Sequence, residues 1–288
     1  MDNRGVGWSD TPSGAYSTEE MARDTIEVLD HIGWTAQRSL SVVGVSMGGM
    51  IAQQLVSHSV LCCLLRWWLT LRGGEQARLI PQRILALVLT STQAGERIEI
   101  PGAGQIQHFG KLLFSATFLG PEATVHTVSE ALYPREYLDQ IDPNTGEKRR
   151  VAIEKARIVS ASGDMALTTK QEFMYRASKS RKQTGKGRIS QLRAATRHHV
   201  TADQLADIES SVCKVGIIVG DQDKLINPRK SEELHKMMPR ADYKIIKGAG
   251  HALVSVTVCR RLVLGLIVSV ASSRHKPPRS ITPSSRSR

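Results

Sequence analysis

Residues 41–54, SVVGVSMGGMIAQQ, combine a short apolar run, a serine between glycines and the start of a helical pattern. The run Leu40–Val45 is rich in β-branched residues and bounded by polar ones, which predicts a strand buried on both faces of a sheet. From residue 47 onward apolar residues recur at helical spacing, beginning with Met50 and Ile51. The pattern therefore predicts that Ser46 lies on a turn between a strand and a helix.

Gly44, Ser46 and Gly48 form a G-x-S-x-G pattern at that turn. Between a strand and a helix, this pattern is typical of a nucleophile elbow, a strained turn that exposes the serine hydroxyl above a sheet. We expect side chains at Gly44 or Gly48 to collide where the two backbones approach, and Gly49 to extend that contact. The N–H of Met47, at the start of the helix, is placed to stabilise an oxyanion on a carbonyl attacked by Ser46. A merely structural turn is the alternative.

A serine nucleophile needs a base and an acid that orients the base, and candidates for both follow in the sequence. The run Val212–Gly220 predicts a second buried strand, which ends at Asp221 and Asp223. A shorter predicted strand, Tyr243–Ile246, is followed by a glycine-containing turn and then by His251. The order of these candidates along the chain is serine, aspartate, histidine.

The chain resembles the α/β-hydrolase superfamily through the motifs DNRGVGWSD, GVSMGG, VGDQDKLINP and GAGHAL. The resemblance implies a mostly parallel sheet with a helical cap. It implies that Ser46 is the nucleophile, His251 the base and Asp223 the acid, with Asp221 as the alternative acid. A serine at the elbow favours cleavage of an ester, lactone or related acyl bond in a small molecule, through an acyl-enzyme. Such chemistry requires no metal or organic cofactor.

The family pattern divides the chain into a hydrolase core in two parts, residues 1–94 and 208–253, a helical cap, residues 95–207, and an atypical C-terminal segment, residues 254–288, with a basic disordered tail. Ser17 and Glu20 form a capping box that predicts the helix before the elbow strand, and Ile84–Thr92 predicts the next strand. In the family, the DNRGVGWSD loop follows the fourth strand. The resemblance therefore implies an alternative function, a catalytically impaired or inactive remnant that lacks the N-terminal strands and part of the oxyanion hole.

Two segments, residues 56–76 and 159–171, interrupt the family pattern, and both begin with Val-Ser and end with Gln. The C-terminal segment from residue 254 also begins with Val-Ser. Val-Ser codons can contain an intron donor site and a Gln codon can contain an acceptor site. We interpret these segments as retained introns, with family-specific insertions as the alternative.

The composition is typical of a globular protein, with 288 residues and 41% hydrophobic residues. The net charge of +12 comes partly from the tail, and the basic cluster Arg176–Arg188 has no interleaved aromatic residues, so we expect a solvated face and no nucleic-acid partner. The four cysteines show no metal or disulfide spacing, which with the lack of a signal peptide favours a cytoplasmic protein. The apolar runs are shorter than the ~20 residues of a membrane span. His198 and His199 are predicted to be solvated helix residues.

Overall fold

The computed structural model describes residues 1–14, 16–57, 80–95, 121–141, 146–150, 181, 183–253 and 265. Within these residues one parallel sheet has the strand order β1-β2-β3-β4. The strands are β1 Leu40–Val45, β2 Ile84–Thr90, β3 Lys214–Gly220 and β4 Asp242–Ile246. The helices are α1 Thr18–His31, α2 residues 47–57, α3 Ile80–Arg83, α4 Pro121–Leu132, α5 Arg135–Asp139, α6 Gly185–Thr196, α7 Ala202–Ser211 and α8 Pro228–Met237.

The predicted capping box at the start of α1 is confirmed. The Ser17 hydroxyl accepts a hydrogen bond from the Glu20 amide at 3.1 Å, and the Glu20 carboxylate accepts one from the Ser17 amide at 2.9 Å. These two bonds satisfy N–H groups that the first turn of a helix leaves unpaired. Met21 is fully buried, so α1 packs one face against the core.

The strands agree with the apolar runs to within two residues at each end. The predicted strand from Ile84 ends two residues early, because Ser91 takes a left-handed conformation with φ of 48° and turns the chain. The third strand begins two residues late, at Lys214, because α7 runs to Ser211 and Val212 is its C-cap. The fourth strand begins one residue early.

The prediction that Leu40–Val45 is buried on both faces is wrong. Leu40 and Val42 pack on the main core, whereas Ser41 and Val43 are exposed on the opposite face, Val43 by 39%. The reason is the position of β1 in the sheet. Within the described residues its one neighbouring strand is β2, so it forms an edge that is covered on one face.

The core lies on both faces of the inner strands. The larger cluster fills the face towards α1, α2, α7 and α8, and Ile217 on β3 is fully buried there. A smaller cluster on the opposite face contains Val88, Ile218, Ala249 and Leu253. This smaller cluster packs the segment around residue 251 against the sheet.

The predicted insertions fall almost entirely outside the described residues. Val56 and Ser57 belong to α2 and are buried, so the first two residues of the predicted 56–76 insertion extend the elbow helix. The remainder of that insertion, all of residues 159–171 and nearly all of residues 254–288 lie outside the described part, as does much of the predicted cap. None of the helices that the structure describes is long and apolar enough to span a membrane.

Candidate active site

Ser46 occupies a strained turn immediately after β1. Its φ of 55° is left-handed, a conformation that costs free energy for a residue other than glycine. The Ser46 amide donates to the Thr90 carbonyl at 2.9 Å. The Ser46 carbonyl accepts from the amides of Gly49, at 2.9 Å, and Met50, at 3.2 Å, and from the Thr92 hydroxyl at 2.8 Å. These bonds hold the turn between the ends of β1 and β2.

Two of the three elbow glycines are required by close packing. A methyl group on Gly44 would lie 2.5 Å from the Gly49 Cα, and one on Gly49 would lie 2.7 Å from the Thr92 Cβ. Real Cβ atoms essentially never approach so closely. At Gly48 a methyl group would meet no atom of the described residues within 4 Å, so the predicted collision at this glycine is wrong for that part of the chain.

The helix that follows the turn places an amide beside the serine. Met47 is the first residue of α2, and its N–H is one of the groups that a helix cannot pair internally. The positive end of the α2 dipole lies at the same point. If Ser46 attacked a carbonyl carbon, the negative charge would form on the former carbonyl oxygen, and this end of α2 is the part of the helix that favours such a charge.

Asp223 and His251 form a buried pair. The His251 Nδ1 lies 2.8 Å from Asp223 Oδ2 and 3.0 Å from Oδ1. The Asp223 side chain is fully buried and that of His251 is 7% exposed. Asp223 Oδ1 also accepts from the amides of Leu225 and Ile226, both at 2.9 Å, so the carboxylate is fixed in orientation. An ionised carboxylate only accepts, so in a bond to such a carboxylate Nδ1 is the donor, and a neutral imidazole then has its lone pair on Nε2.

Asp221, the alternative acid, has a different partner. Its Oδ1 accepts from the Gly248 amide at 2.7 Å, and its side chain is exposed. Gly248 has a left-handed φ of 67°, which favours glycine at that turn. Asp221 thus secures the turn that leads to His251, and Asp223 is the carboxylate bonded to the imidazole.

The sheet brings the three candidate residues to one edge. Ser46 follows β1, Asp223 follows β3 and His251 follows β4, and the carboxyl ends of parallel strands lie at the same edge. One strand, β2, separates β1 from β3, so the ends of β1 and β3 lie about 10 Å apart. Among the three candidates, the hydrogen bond that the structure shows is the one between His251 and Asp223.

The residues that support the site were missed in the sequence, with one partial exception. The Asp223 bonds to amides two and three residues ahead follow the usual local pattern of aspartate in turns, so the sequence contained a signal for them. No local signal pairs Thr92 with the Ser46 carbonyl, because 46 residues separate the two in the chain.

The prediction that His198 is a solvated helix residue is wrong. His198 follows α6, is 2% exposed and lies 2.9 Å through Nδ1 from the Thr18 hydroxyl. Burial lowers the pKa of His198 to about 3, so the imidazole is neutral at physiological pH. His199 is half-buried.

A cleft of about 390 Å³ lies apart from the candidate residues. It opens between the segment after β2, the start of α7 and α8, and its lining includes Ala94, His199, Lys230 and Met237. None of the three candidate residues lines it. Within the described residues no three histidine, cysteine or acidic side chains cluster as metal ligands.

A family model described as alpha/beta hydrolase fold matches residues 1–256. Among solved structures, an esterase from Thermogutta terrifontis has a TM-score of 0.58 and 17% identity, over 96% of this chain and 79% of the esterase. The enol-lactonase from Burkholderia xenovorans also has a TM-score of 0.58 and 17% identity, over 94% of this chain and 79% of the lactonase. A carboxylesterase structure from Nitrososphaera gargenis has a TM-score of 0.57 and 14% identity, over 94% and 79% of the two chains. The sequence matches none of the curated proteins.

Proposed function

Because the chain belongs to the alpha/beta hydrolase fold family, we propose that it is a serine hydrolase that cleaves an ester, lactone or related acyl bond in a small molecule. The observation that carries this proposal is the hydrogen bond between His251 and the buried Asp223 carboxylate. That bond orients the imidazole and, when the imidazole is neutral with its proton on Nδ1, leaves Nε2 free to accept a proton, as a general base requires. The likeness in fold to an esterase and an enol-lactonase supports the same class of acyl substrate.

In the proposed reaction, the Ser46 hydroxyl attacks the substrate carbonyl while His251 Nε2 takes its proton. The Met47 amide stabilises the oxyanion of the tetrahedral intermediate. The imidazolium, stabilised by Asp223, then gives its proton to the leaving group, and the acyl chain remains on Ser46. A water molecule, deprotonated by His251, hydrolyses the acyl-enzyme and restores the serine.

A fluorophosphonate probe tests the proposal directly, because it reacts with activated serines. We expect the wild-type protein to be labelled at Ser46 and to hydrolyse p-nitrophenyl acetate. Ser46→Ala should lose both activities. Ser41→Ala is the matched control, since Ser41 is an exposed serine on β1, the strand that precedes Ser46, and it should retain both.

Hydrolysis by Ser46→Ala at the wild-type rate would show that the serine is structural. A folded wild-type protein that neither labels nor hydrolyses esters would favour the alternative function, a catalytically impaired or inactive hydrolase.

A further inference from the structure

Both residues that flank His251 in the chain contact residues 132–138, which comprise the end of α4, its connection to α5 and most of α5 and are called the α4–α5 turn below. The Ala252 amide donates to the Leu132 carbonyl at 3.1 Å. A methyl group on Gly250 would lie 2.6 Å from the same carbonyl oxygen and 2.9 Å from the Pro134 Cδ. The Leu132 carbonyl therefore packs against the backbone on both sides of the histidine.

The histidine loop, residues 249–252, also contacts the end of β3 and the segment after it. The Ala249 carbonyl accepts from the Gln222 amide at 3.0 Å, and it packs so tightly on Gly220 that a methyl group there would collide with it. The loop that carries His251 is thus held between two supports. One is the segment after β3 that contains Asp223, and the other is the α4–α5 turn.

The α4–α5 turn is itself firmly packed. Leu138 is fully buried, and the Tyr133 and Tyr137 rings stack with their centroids 5.1 Å apart. Ala252 packs against this same cluster. The Arg149 guanidinium lies 4.3 Å from the Tyr137 ring centroid, which adds a cation–π contact. A packed turn of this kind fixes the distance between its own backbone and the histidine loop.

We propose that the α4–α5 turn, residues 132–138, is a positioning element that sets the imidazole of His251 relative to Asp223 and Ser46. The inference rests on the proposed function for its effect on rate, but the placement of the imidazole is measurable without activity. The segment after β3 supports the histidine loop at one point, and the turn supplies the second point that fixes its tilt. A general base works only within a narrow range of position, so loss of this support lowers kcat more than it changes KM.

Gly250→Ala tests the proposal, because the added methyl group must push the histidine loop and the Leu132 carbonyl apart. Gly185→Ala is the matched control, since a methyl group there meets no atom of the described residues within 4 Å. The first readout is the Nδ1–H resonance of His251 in ¹⁵N-edited NMR spectra, identified by its loss in His251→Gln. We expect this resonance to shift or broaden in Gly250→Ala and to stay in place in Gly185→Ala. In p-nitrophenyl acetate hydrolysis, kcat of Gly250→Ala should fall about 10- to 100-fold with little change in KM.

Leu138→Val provides a second, milder test, in which the substituted residue lies outside the histidine loop. Leu138 is buried in the turn, so its shortening should loosen the turn and move the His251 resonance by a smaller amount in a protein that still folds. Wild-type resonances in both variants would overturn the positioning role, whatever the activity. A shifted resonance in a protein whose wild type shows no Ser46-dependent turnover would support the positioning role and refute the proposed function.

Discussion

Asp223→Asn is the substitution whose outcome the geometry determines most closely. Asp223 Oδ1 accepts two backbone N–H groups, from Leu225 and Ile226, whereas Oδ2 is the nearer oxygen to His251 Nδ1. An asparagine side chain must keep its oxygen on the two amides, because an NH₂ group there would face two donors. Its NH₂ group then faces the imidazole, and Nδ1 becomes the acceptor.

The expected fall in kcat of Asp223→Asn follows from that change of tautomer. With Nδ1 accepting, the neutral imidazole carries its proton on Nε2, and it cannot take the proton of Ser46. In a serine protease, the corresponding aspartate-to-asparagine change gives the wrong tautomer and lowers kcat about 10⁴-fold. We expect a loss of the same order here. A fall of about 10⁴-fold corresponds to about 5.5 kcal/mol of lost transition-state stabilisation. The fold should survive, since the variant keeps both backbone hydrogen bonds.

Steady-state hydrolysis of p-nitrophenyl acetate measures this loss, with Asp221→Asn as the matched control. Asp221 is exposed, and an asparagine oxygen can still accept from the Gly248 amide, so the control should keep kcat close to the wild type. Equal melting temperatures would confirm that both variants fold. A larger loss in Asp221→Asn than in Asp223→Asn would refute the reasoning and move the acid to Asp221.

Two further predictions concern the supports of the site, and a third concerns the buried His198. Gly44→Ala should lower the free energy of unfolding by about 1–3 kcal/mol in urea titrations, since its methyl group meets helix backbone at 2.5 Å, while Gly185→Ala should not lower it. Thr92→Val removes a hydroxyl donor to the Ser46 carbonyl and should cost about 1 kcal/mol of stability in the same titrations; an unchanged midpoint would contradict the role of that bond. Burial lowers the pKa of His198 to about 3 in the folded protein. As the pH falls below about 6.5, the imidazole is therefore protonated in the unfolded chain but not in the folded one. The free energy of unfolding should decrease between pH 6.5 and 3, by up to about 1.4 kcal/mol per pH unit. His198→Asn should reduce that dependence, and an unchanged slope would show that the imidazole titrates normally.

Local patterns in the sequence were sufficient for the strands, the first helix and the elbow. The inner strands β2 and β3 are buried and need continuous apolar runs, and each of the four predicted runs formed a strand within two residues of its predicted ends. The capping box of α1 depends on Ser17 and Glu20, which lie three residues apart. The G-x-S-x-G pattern of the elbow likewise lies within five neighbouring residues, whereas the bonds of Ser46 to Thr90 and Thr92 connect distant residues. Structure that depends on contacts between residues a few positions apart can be predicted from the sequence, because the interacting groups are neighbours along the chain.

The family resemblance favoured Asp223 over Asp221 as the acid, and the tertiary structure shows which of the two aspartates is bonded to His251. The two aspartates lie in the same loop, and only the direction of each side chain separates them. The amides ahead of Asp223 turn its carboxylate towards His251, whereas Gly248 engages Asp221. Side-chain direction in a turn depends on the partners that the fold supplies.

Burial at the remaining positions was decided by distant parts of the chain. His198 is buried against Thr18, 180 residues away, and Leu132 packs beside His251 although no local pattern links them. Val43 is exposed although its sequence neighbours are apolar, because β1 lies at the edge of the described sheet. An apolar or titratable residue is buried only where another segment packs against it. Which segment does so depends on the tertiary fold of the whole chain.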